Sequence, residues 1–183
     1  DDPRRNEIIL KKKERSGKAA VPTQGKDAAS GWVALALEFL DAMRRSKVQP
    51  DASTYTALIG MCSRAAAKGD KGMVDKSWEL LSEMKSRGIQ AELSTYNAML
   101  NVCANAGDEA KAKEVLDIID GAGLEYDAYT YTGLIRVRGL RSLDAALAVL
   151  SEMRQNNLKP TGPAYNTLLS VLQRAPLPPS KAL

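Results

Sequence analysis

Histidine is absent from all 183 residues of this chain. Histidine is the side chain most used for acid–base chemistry near neutral pH, and it is a common zinc ligand, so its absence excludes His-containing catalytic triads and the usual zinc sites. We therefore expect no catalytic residue, no metal site, no cofactor and no small-molecule substrate. The protein is predicted not to be an enzyme.

Cysteine and long apolar runs are also scarce. The two cysteines, Cys62 and Cys103, each lie seven residues after a tyrosine in similar stretches of sequence. This shared position favours small buried hydrophobic residues over a disulfide or a metal site. No apolar run reaches the roughly 18 residues of a transmembrane helix, so we expect no membrane partner.

The positive charge is concentrated at one end of the chain. The formal net charge is +4, and residues 1–26 hold eight Lys or Arg against four Asp or Glu, so the remainder is neutral. We interpret residues 1–26 as a basic, flexible N-terminal arm, which either binds phosphates or is simply solvated. A neutral remainder predicts no broad electrostatic attraction for nucleic acid.

A tyrosine recurs in four similar phrases, which indicates an internal repeat. Tyr55, Tyr96, Tyr131 and Tyr165 are separated by 41, 35 and 34 residues. Apolar residues follow each tyrosine at the third and fourth positions, which is helical spacing, and a second set of aligned apolar residues predicts a second helix in each unit. A period near 35 residues predicts stacked helix pairs in an all-α fold.

The stop signals repeat with the same period and set the predicted boundaries. Lys47, Gly88, Gly123 and Asn157 share the position at which a helix would end in a left-handed residue, although lysine fits that position less well. The predicted units are 27–51 (a half repeat or capping helix), 52–92, 93–127, 128–161 and 162–183 (a partial repeat with a Pro-rich tail). The first full repeat carries an insertion near 65–73. We also expect a short basic helix over 7–15. The half repeats at both ends suggest that the chain is a partial or processed product of a longer one.

The phrases Ser94-Thr-Tyr-Asn-Ala-Met-Leu100 and Ser82-Glu-Met-Lys-Ser-Arg-Gly-Ile89 resemble pentatricopeptide repeats. The resemblance covers roughly residues 32–173, whereas the first-helix signature of tetratricopeptide repeats is absent. It implies a right-handed α-solenoid of antiparallel helix pairs that binds single-stranded RNA at about one base per repeat.

The resemblance also implies which side chains read the bases. In this family the residue after the tyrosine acts with the last residue of the repeat, which gives the pairs Thr56 with Glu92, Asn97 with Asp127, and Thr132 with Thr161, while Asn166 lacks its partner. The implied order is 5′-purine-U-purine-3′, with uracil read by Asn97 and Asp127. We expect both of these side chains to be exposed.

Other positions modify this expectation. The residue two before the tyrosine normally clamps the base with an aliphatic side chain, but here it is Ser53, Ser94, Tyr129 or Pro163, of which Tyr129 offers the best stacking surface. Arg136 lies four residues after Thr132 and should share its face, within reach of a phosphate. Arg138, in the column of the cysteines, is expected to mark an edge or a surface ion pair.

Three functions remain open at this stage. The first is an RNA-binding adaptor in organellar RNA processing, stability or translation, located in a mitochondrion or chloroplast because the family works there. The second is a structural subunit of a large organellar assembly such as a ribosome, with structured RNA or protein subunits as partners. The third is the repeat module of a protein-only ribonuclease P, which would need a nuclease domain with clustered aspartates.

Overall fold

The structure, a computed structural model, describes residues 26–174. Of the predicted arm over 1–26, all but Lys26 lies outside it, as do the helix predicted at 7–15 and the tail from 175. The described residues form eight α-helices and no strand, which confirms the all-α prediction. The helices are α1 (Lys26–Arg45), α2 (Ala52–Ala66), α3 (Met73–Ser86), α4 (Leu93–Ala106), α5 (Glu109–Gly121), α6 (Ala128–Arg138), α7 (Leu143–Gln155) and α8 (Gly162–Leu172). The predicted insertion is the connection between α2 and α3.

The helices pack as consecutive pairs in two layers. Helices α2, α4, α6 and α8, which we call the first helices, stack directly on one another, and each second helix packs against neighbouring first helices. The second helices α1, α3, α5 and α7 make no extensive contacts among themselves within the described range. The tightly spaced first helices therefore form the inner layer of a curved α-solenoid.

The repeated apolar columns form the core between the layers. Tyr55, Tyr96 and Tyr131 are buried, and so are Met84 and Met153 of the second helices. Both cysteines are free and buried, as predicted, and burial raises the thiol pKa of Cys62 to about 11 and that of Cys103 to about 12. These thiols therefore stay protonated and unreactive in the folded protein.

The core prediction is wrong at the two ends of the array. Phe39 is 63% exposed and Leu169 is 57% exposed, although both occupy apolar columns that are buried elsewhere. Among the described residues, α1 packs on one first helix only, and α8 has no second helix of its own. A residue at one of the repeated apolar positions is buried only where a neighbouring helix packs against it.

Four second helices end in the same hydrogen-bonded cap. Lys47 and Asn157 have φ of 60°, and Gly88 and Gly123 have φ of 72° and 65°, so all four residues are left-handed as predicted. The amide of the next residue donates to the carbonyl five residues back, for example from Val48 N to Met43 O at 2.9 Å. The position requires the left-handed conformation strongly enough to impose it on a lysine.

The helices α5 and α7 begin with side-chain caps of different kinds. Asp108 caps α5 by accepting from Lys111 N at 2.9 Å. At the start of α7 the capping side chain belongs to Ser142, whose Oγ accepts from Ala145 N at 3.1 Å. Asp144 therefore lies inside the first turn, where its charge complements the helix dipole.

Glu83 joins three helices at one end of the array. Its carboxylate on α3 accepts hydrogen bonds from Tyr55 OH of α2 at 3.0 Å, from Arg87 Nε at 2.9 Å and from Arg44 Nη2 of α1. Burial by itself raises the pKa of Glu83, but the hydrogen bonds from Arg87, Tyr55 and Arg44 outweigh it and lower the pKa below 4.5.

This lowered pKa predicts acid sensitivity. A carboxyl group with a depressed folded-state pKa stabilises the fold above its unfolded pKa, and that contribution is lost as pH falls through the folded value. Glu83→Gln should therefore cost about 1 kcal/mol of unfolding free energy at pH 7, and the difference from wild type should shrink below pH 4.5. Urea unfolding at several pH values measures both effects.

The matched control is Glu79→Gln, which removes the same charge from an exposed position one turn earlier on α3. Its unfolding free energy should stay within about 0.5 kcal/mol of wild type. A Glu83→Gln variant with unchanged stability at pH 7 would show that the cluster does not join the three helices.

Two glycines allow the first helices to approach closely. A Cβ built on Gly133 of α6 would lie 2.7 Å from Leu100 Cδ2 of α4. A Cβ on Gly139, just after α6, would overlap Val171 Cγ2 of α8 and lie 2.9 Å from Val171 Cγ1. Glycine is required at Gly139 because valine and backbone atoms surround it, whereas at Gly133 the leucine methyl group has to shift; neither glycine has a positive φ.

Gly139→Ala is predicted to destabilise the fold by about 1–3 kcal/mol, because valine has no flexible end that can move away from the added methyl group. Gly60→Ala is the control, since nothing lies within 4 Å of a Cβ at Gly60 inside α2. That substitution should be neutral or stabilising by up to about 1 kcal/mol. Equal stability of the two variants would contradict the close approach of α8 to α6.

Candidate functional site

One row of side chains recurs along the first helices, and at Arg64 it borders a cavity shared with Ala29 and Trp32 of α1. The row begins after the tyrosine and continues at four-residue steps, so its members share one helix face. It consists of Thr56, Gly60 and Arg64 on α2, Asn97, Asn101 and Asn105 on α4, Thr132 and Arg136 on α6, and Asn166 and Ser170 on α8. We call these residues the inner stripe. They contain every residue predicted to follow the tyrosine and read a base.

Charge is segregated between the two layers. The first helices α2, α4, α6 and α8 contain no Asp or Glu, and their charged residues are Arg64, Arg136 and Arg138. The second helices α3, α5 and α7 carry nine acidic against five basic residues. The first helices thus carry their charge as arginine, while the acidic residues Asp51, Glu92 and Asp127 lie at the starts of α2, α4 and α6.

Asn97 and Asp127 are brought together as the sequence predicts. Asn97 Nδ2 donates to Asp127 Oδ1 at 3.1 Å across the boundary between two repeats. The same carboxylate oxygen accepts from Thr130 N at 2.7 Å and from Thr130 Oγ1 at 2.9 Å, which caps α6. The helix cap thus holds Asp127 in place, and Asp127 orients the amide of Asn97.

The expectation that both side chains are exposed is wrong for Asn97. Asp127 is half-buried, but Asn97 is only 7% exposed, because α4 is packed between α2 and α6. Asn97 Oδ1 is buried and accepts no hydrogen bond from the described residues. A buried acceptor without a partner is costly, and such groups are often functional.

The other predicted pairs do not meet. Thr56 Oγ1 lies 2.8 Å from Thr95 Oγ1, and Glu92 is exposed without a capping hydrogen bond. Thr132 Oγ1 donates to Ala128 O at 2.7 Å within its own helix, so it is not joined to half-buried Thr161. Asn166 is exposed at the end of the array.

The clamp positions lie on the surface at the start of each first helix. Ser53, Ser94 and Pro163 are exposed, and Tyr129 is 72% exposed, the largest apolar surface among these four positions. A tyrosine ring in this position has the area needed to stack on a base, whereas the serines do not.

Arg136 is held on the inner stripe by two asparagines. Its Nη1 donates to Asn101 Oδ1 at 3.2 Å and to Asn105 Oδ1 at 3.3 Å, and Asn105 Nδ2 donates to Ser63 O at 3.0 Å. Burial and then the nearby charge of Arg174 lower the pKa of Arg136. The sequence interpretation missed both asparagines and Arg174, although the asparagines continue the four-residue spacing from Asn97.

Arg138 has a different environment. Its Nη1 pairs with Glu152 of α7 at 2.7 Å, which is the surface ion pair expected for it. No group of three or more His, Cys, Asp or Glu with the arrangement of a metal site occurs in the described part of the chain. No helix in residues 26–174 is long and apolar enough to cross a membrane.

The comparisons with known proteins agree with this architecture. A family model described as the pentacotripeptide-repeat region of PRORP matches residues 11–176. No curated protein matches the sequence significantly. Among solved structures, maize PPR10 is similar with a TM-score of 0.59 at 24% identity, over 89% of this chain and 23% of that chain.

Two further similar structures contain RNA. PPR10 in complex with an 18-nt psaJ RNA element has a TM-score of 0.67 at 21% identity, over 92% of this chain and 25% of that chain. The PPR domain of Arabidopsis thaliana protein-only RNase P 1 in complex with tRNA has a TM-score of 0.57 at 19% identity. The match covers 91% of this chain and 80% of that chain. The present chain thus spans about a quarter of the PPR10 chains.

The buried contact between Asn97 and Asp127 predicts a charge-sensitive position. Asn97→Asp keeps the side-chain shape but replaces the donor by a carboxylate oxygen against Asp127, so it should cost about 1–3 kcal/mol at pH 7. The loss should shrink in acid, because protonation of one carboxyl group restores a donor. Asn166→Asp, the exposed equivalent, is the control for urea unfolding, and equal stabilities would contradict the buried pair.

Proposed function

Because the chain belongs to the pentatricopeptide repeat family, whose model matches residues 11–176, we propose that it binds single-stranded RNA along the inner stripe. The similar structures of PPR10 and of the Arabidopsis PPR domain contain RNA, which supports this proposal. The chain acts by binding, as an adaptor, and carries no chemistry of its own.

The Asn97–Asp127 contact is the observation that carries the proposal. Asp127 accepts one proton of Asn97 Nδ2, and the amide oxygen is the buried acceptor that has no partner among the described residues. Uracil presents an N3–H donor on its pairing edge, whereas cytosine presents an acceptor at N3. An acceptor placed opposite N3 selects uracil over cytosine. Because Asn97 Oδ1 is buried, α4 and its neighbours have to move apart for a base edge to reach it.

Two further features support binding on this face. The first helices themselves contain no Asp or Glu, and the acidic residues of this layer are Asp51, Glu92 and Asp127 at the helix starts. The exposed ring of Tyr129 stacks on a base beside the uracil. Stacking contributes about 1–3 kcal/mol per base, and three sites with weak clamps give micromolar affinity at most.

We place this activity in organellar RNA metabolism, in a mitochondrion or chloroplast, as processing, stabilisation or translation of a transcript. Family membership is the support for that role. The outer bases are proposed to be purines, read by Thr56 with Glu92 and by Thr132 with Thr161, and Asn166 begins a further position. The absence of contacts within these pairs makes the outer bases less selective than the central uracil.

A structural subunit of an organellar ribonucleoprotein is the second candidate. Large apolar side chains are exposed at both ends of the described array, including Trp32 and Phe39 on α1 and Tyr165 and Leu169 on α8. Exposed apolar groups at the ends of a solenoid favour contacts with protein. In that role the basic arm, not the inner stripe, would contact RNA.

The test is binding of short single-stranded RNAs that carry either U or C between two purines. The full chain should prefer U by about tenfold, corresponding to one well-placed hydrogen bond to a base. Asn97→Ala should remove that preference, whereas the control Asn166→Ala should keep it.

A different binding result would support the second candidate, the structural subunit of a ribonucleoprotein. Binding that ignores the central base, weakens steeply with salt and disappears on deletion of residues 1–25 would place RNA on the arm. Such a result would contradict base reading by Asn97 and Asp127.

A further inference from the structure

Arg136 is a partly buried cation whose hydrogen-bond partners are neutral. The two other half-buried arginines in the described range, Arg44 and Arg138, pair with Glu83 and Glu152. Arg136 instead donates to the amide oxygens of Asn101 and Asn105, and it pairs with no carboxylate within residues 26–174. Burying a positive charge without a counter-charge is unfavourable, so this arrangement is suited to an anion supplied from outside.

The guanidinium has one edge free for that anion. Both described hydrogen bonds come from Nη1, whose two protons go to Asn101 and Asn105. Nε and Nη2 have no described partner and together form the edge that binds two oxygens of a phosphate side by side. The asparagines therefore fix the orientation of the guanidinium without neutralising it.

The place of Arg136 in the stripe suggests which anion it meets. Arg136 lies one helical turn, about 5.4 Å, beyond Thr132 on α6, and its partner Asn101 lies one turn beyond Asn97 on α4. The guanidinium thus sits between two neighbouring repeats, beside the row that faces the bases. The backbone of a strand whose bases occupy that row passes over this point.

We propose that Arg136, positioned by Asn101 and Asn105, binds the phosphodiester that links the nucleotide read by Asn97 to the next nucleotide, read by Thr132. This inference rests on the proposed function, since it requires a strand on the inner stripe. The charge of Arg174, which is close enough to affect Arg136, strengthens the attraction for the phosphate. The site adds affinity without sequence preference and fixes the register of the strand.

The first test compares Arg136→Gln with Arg138→Gln. Both variants lose one positive charge, but Arg138 is engaged by Glu152. Arg136→Gln should weaken binding of a short single-stranded RNA about tenfold. The slope of log affinity against log salt is negative, and its magnitude should fall by about 0.7, the value for one phosphate contact. Arg138→Gln should stay within about twofold with an unchanged slope. Arg136→Lys should recover most of the slope, because it keeps the charge.

A second variant separates ligand binding from a structural role. Asn101→Asp would supply Arg136 with an internal carboxylate, so it should raise the thermal stability of the chain while weakening RNA binding several-fold. A purely structural Arg136 predicts higher stability with unchanged RNA affinity. That outcome would overturn the phosphate site.

An uncharged linkage at a single position of the RNA tests which phosphate Arg136 contacts. Replacing the phosphodiester after the central uracil by methylphosphonate should weaken binding to wild type about tenfold, yet have little effect on binding to Arg136→Gln. Additive losses would overturn this proposal, although a retained preference for U over C would leave the proposed function intact. A chain that binds no single-stranded RNA would overturn both.

Discussion

The direct packing of each first helix on the next first helix is the constraint on which the other features depend. Gly133 and Gly139 remove the side chains that would separate α4, α6 and α8, and hydrogen bonds such as Thr56 to Thr95 cross between neighbours. This spacing brings Asn97 of one repeat to Asp127 at the start of the next. The pair that we propose to read a base therefore belongs to the boundary between two repeats, not to either repeat alone.

The same packing leaves polar groups on the inner stripe without the partners that would stabilise them. Packing α4 on both sides buries Asn97 and leaves its Oδ1 without a partner, while Arg136 is half-buried beside two amides. Apolar residues would suit a purely structural inner layer better. Acidic residues are frequent on the second helices α3, α5 and α7, whereas in the first-helix layer they occur only at the helix starts, as Asp51, Glu92 and Asp127. The unpaired oxygen of Asn97 and the charge of Arg136 thus lie on the same face of the array.

The sequence predicts the fold well, because each local signal recurs with the period. The left-handed cap even predicts the conformation of Lys47, which is unfavourable for lysine by itself. Burial is predicted less well, since it depends on neighbours outside the repeat: Phe39 is exposed at one end, and Asn97 is buried in the middle. The environment of Arg136 depends on Asn101 and Asn105, which lie 35 and 31 residues earlier in the chain. The sequence around Arg136 alone does not reveal these contacts.

Photocrosslinking tests the central claim, that RNA lies along the inner stripe, most directly. A short single-stranded RNA with 4-thiouridine at the central position would be crosslinked to the full chain, and the attached peptides identified by mass spectrometry. The account predicts crosslinks to α4 and to the start of α6, including Tyr129. Crosslinks confined to residues 1–25 or to the second helices would contradict it.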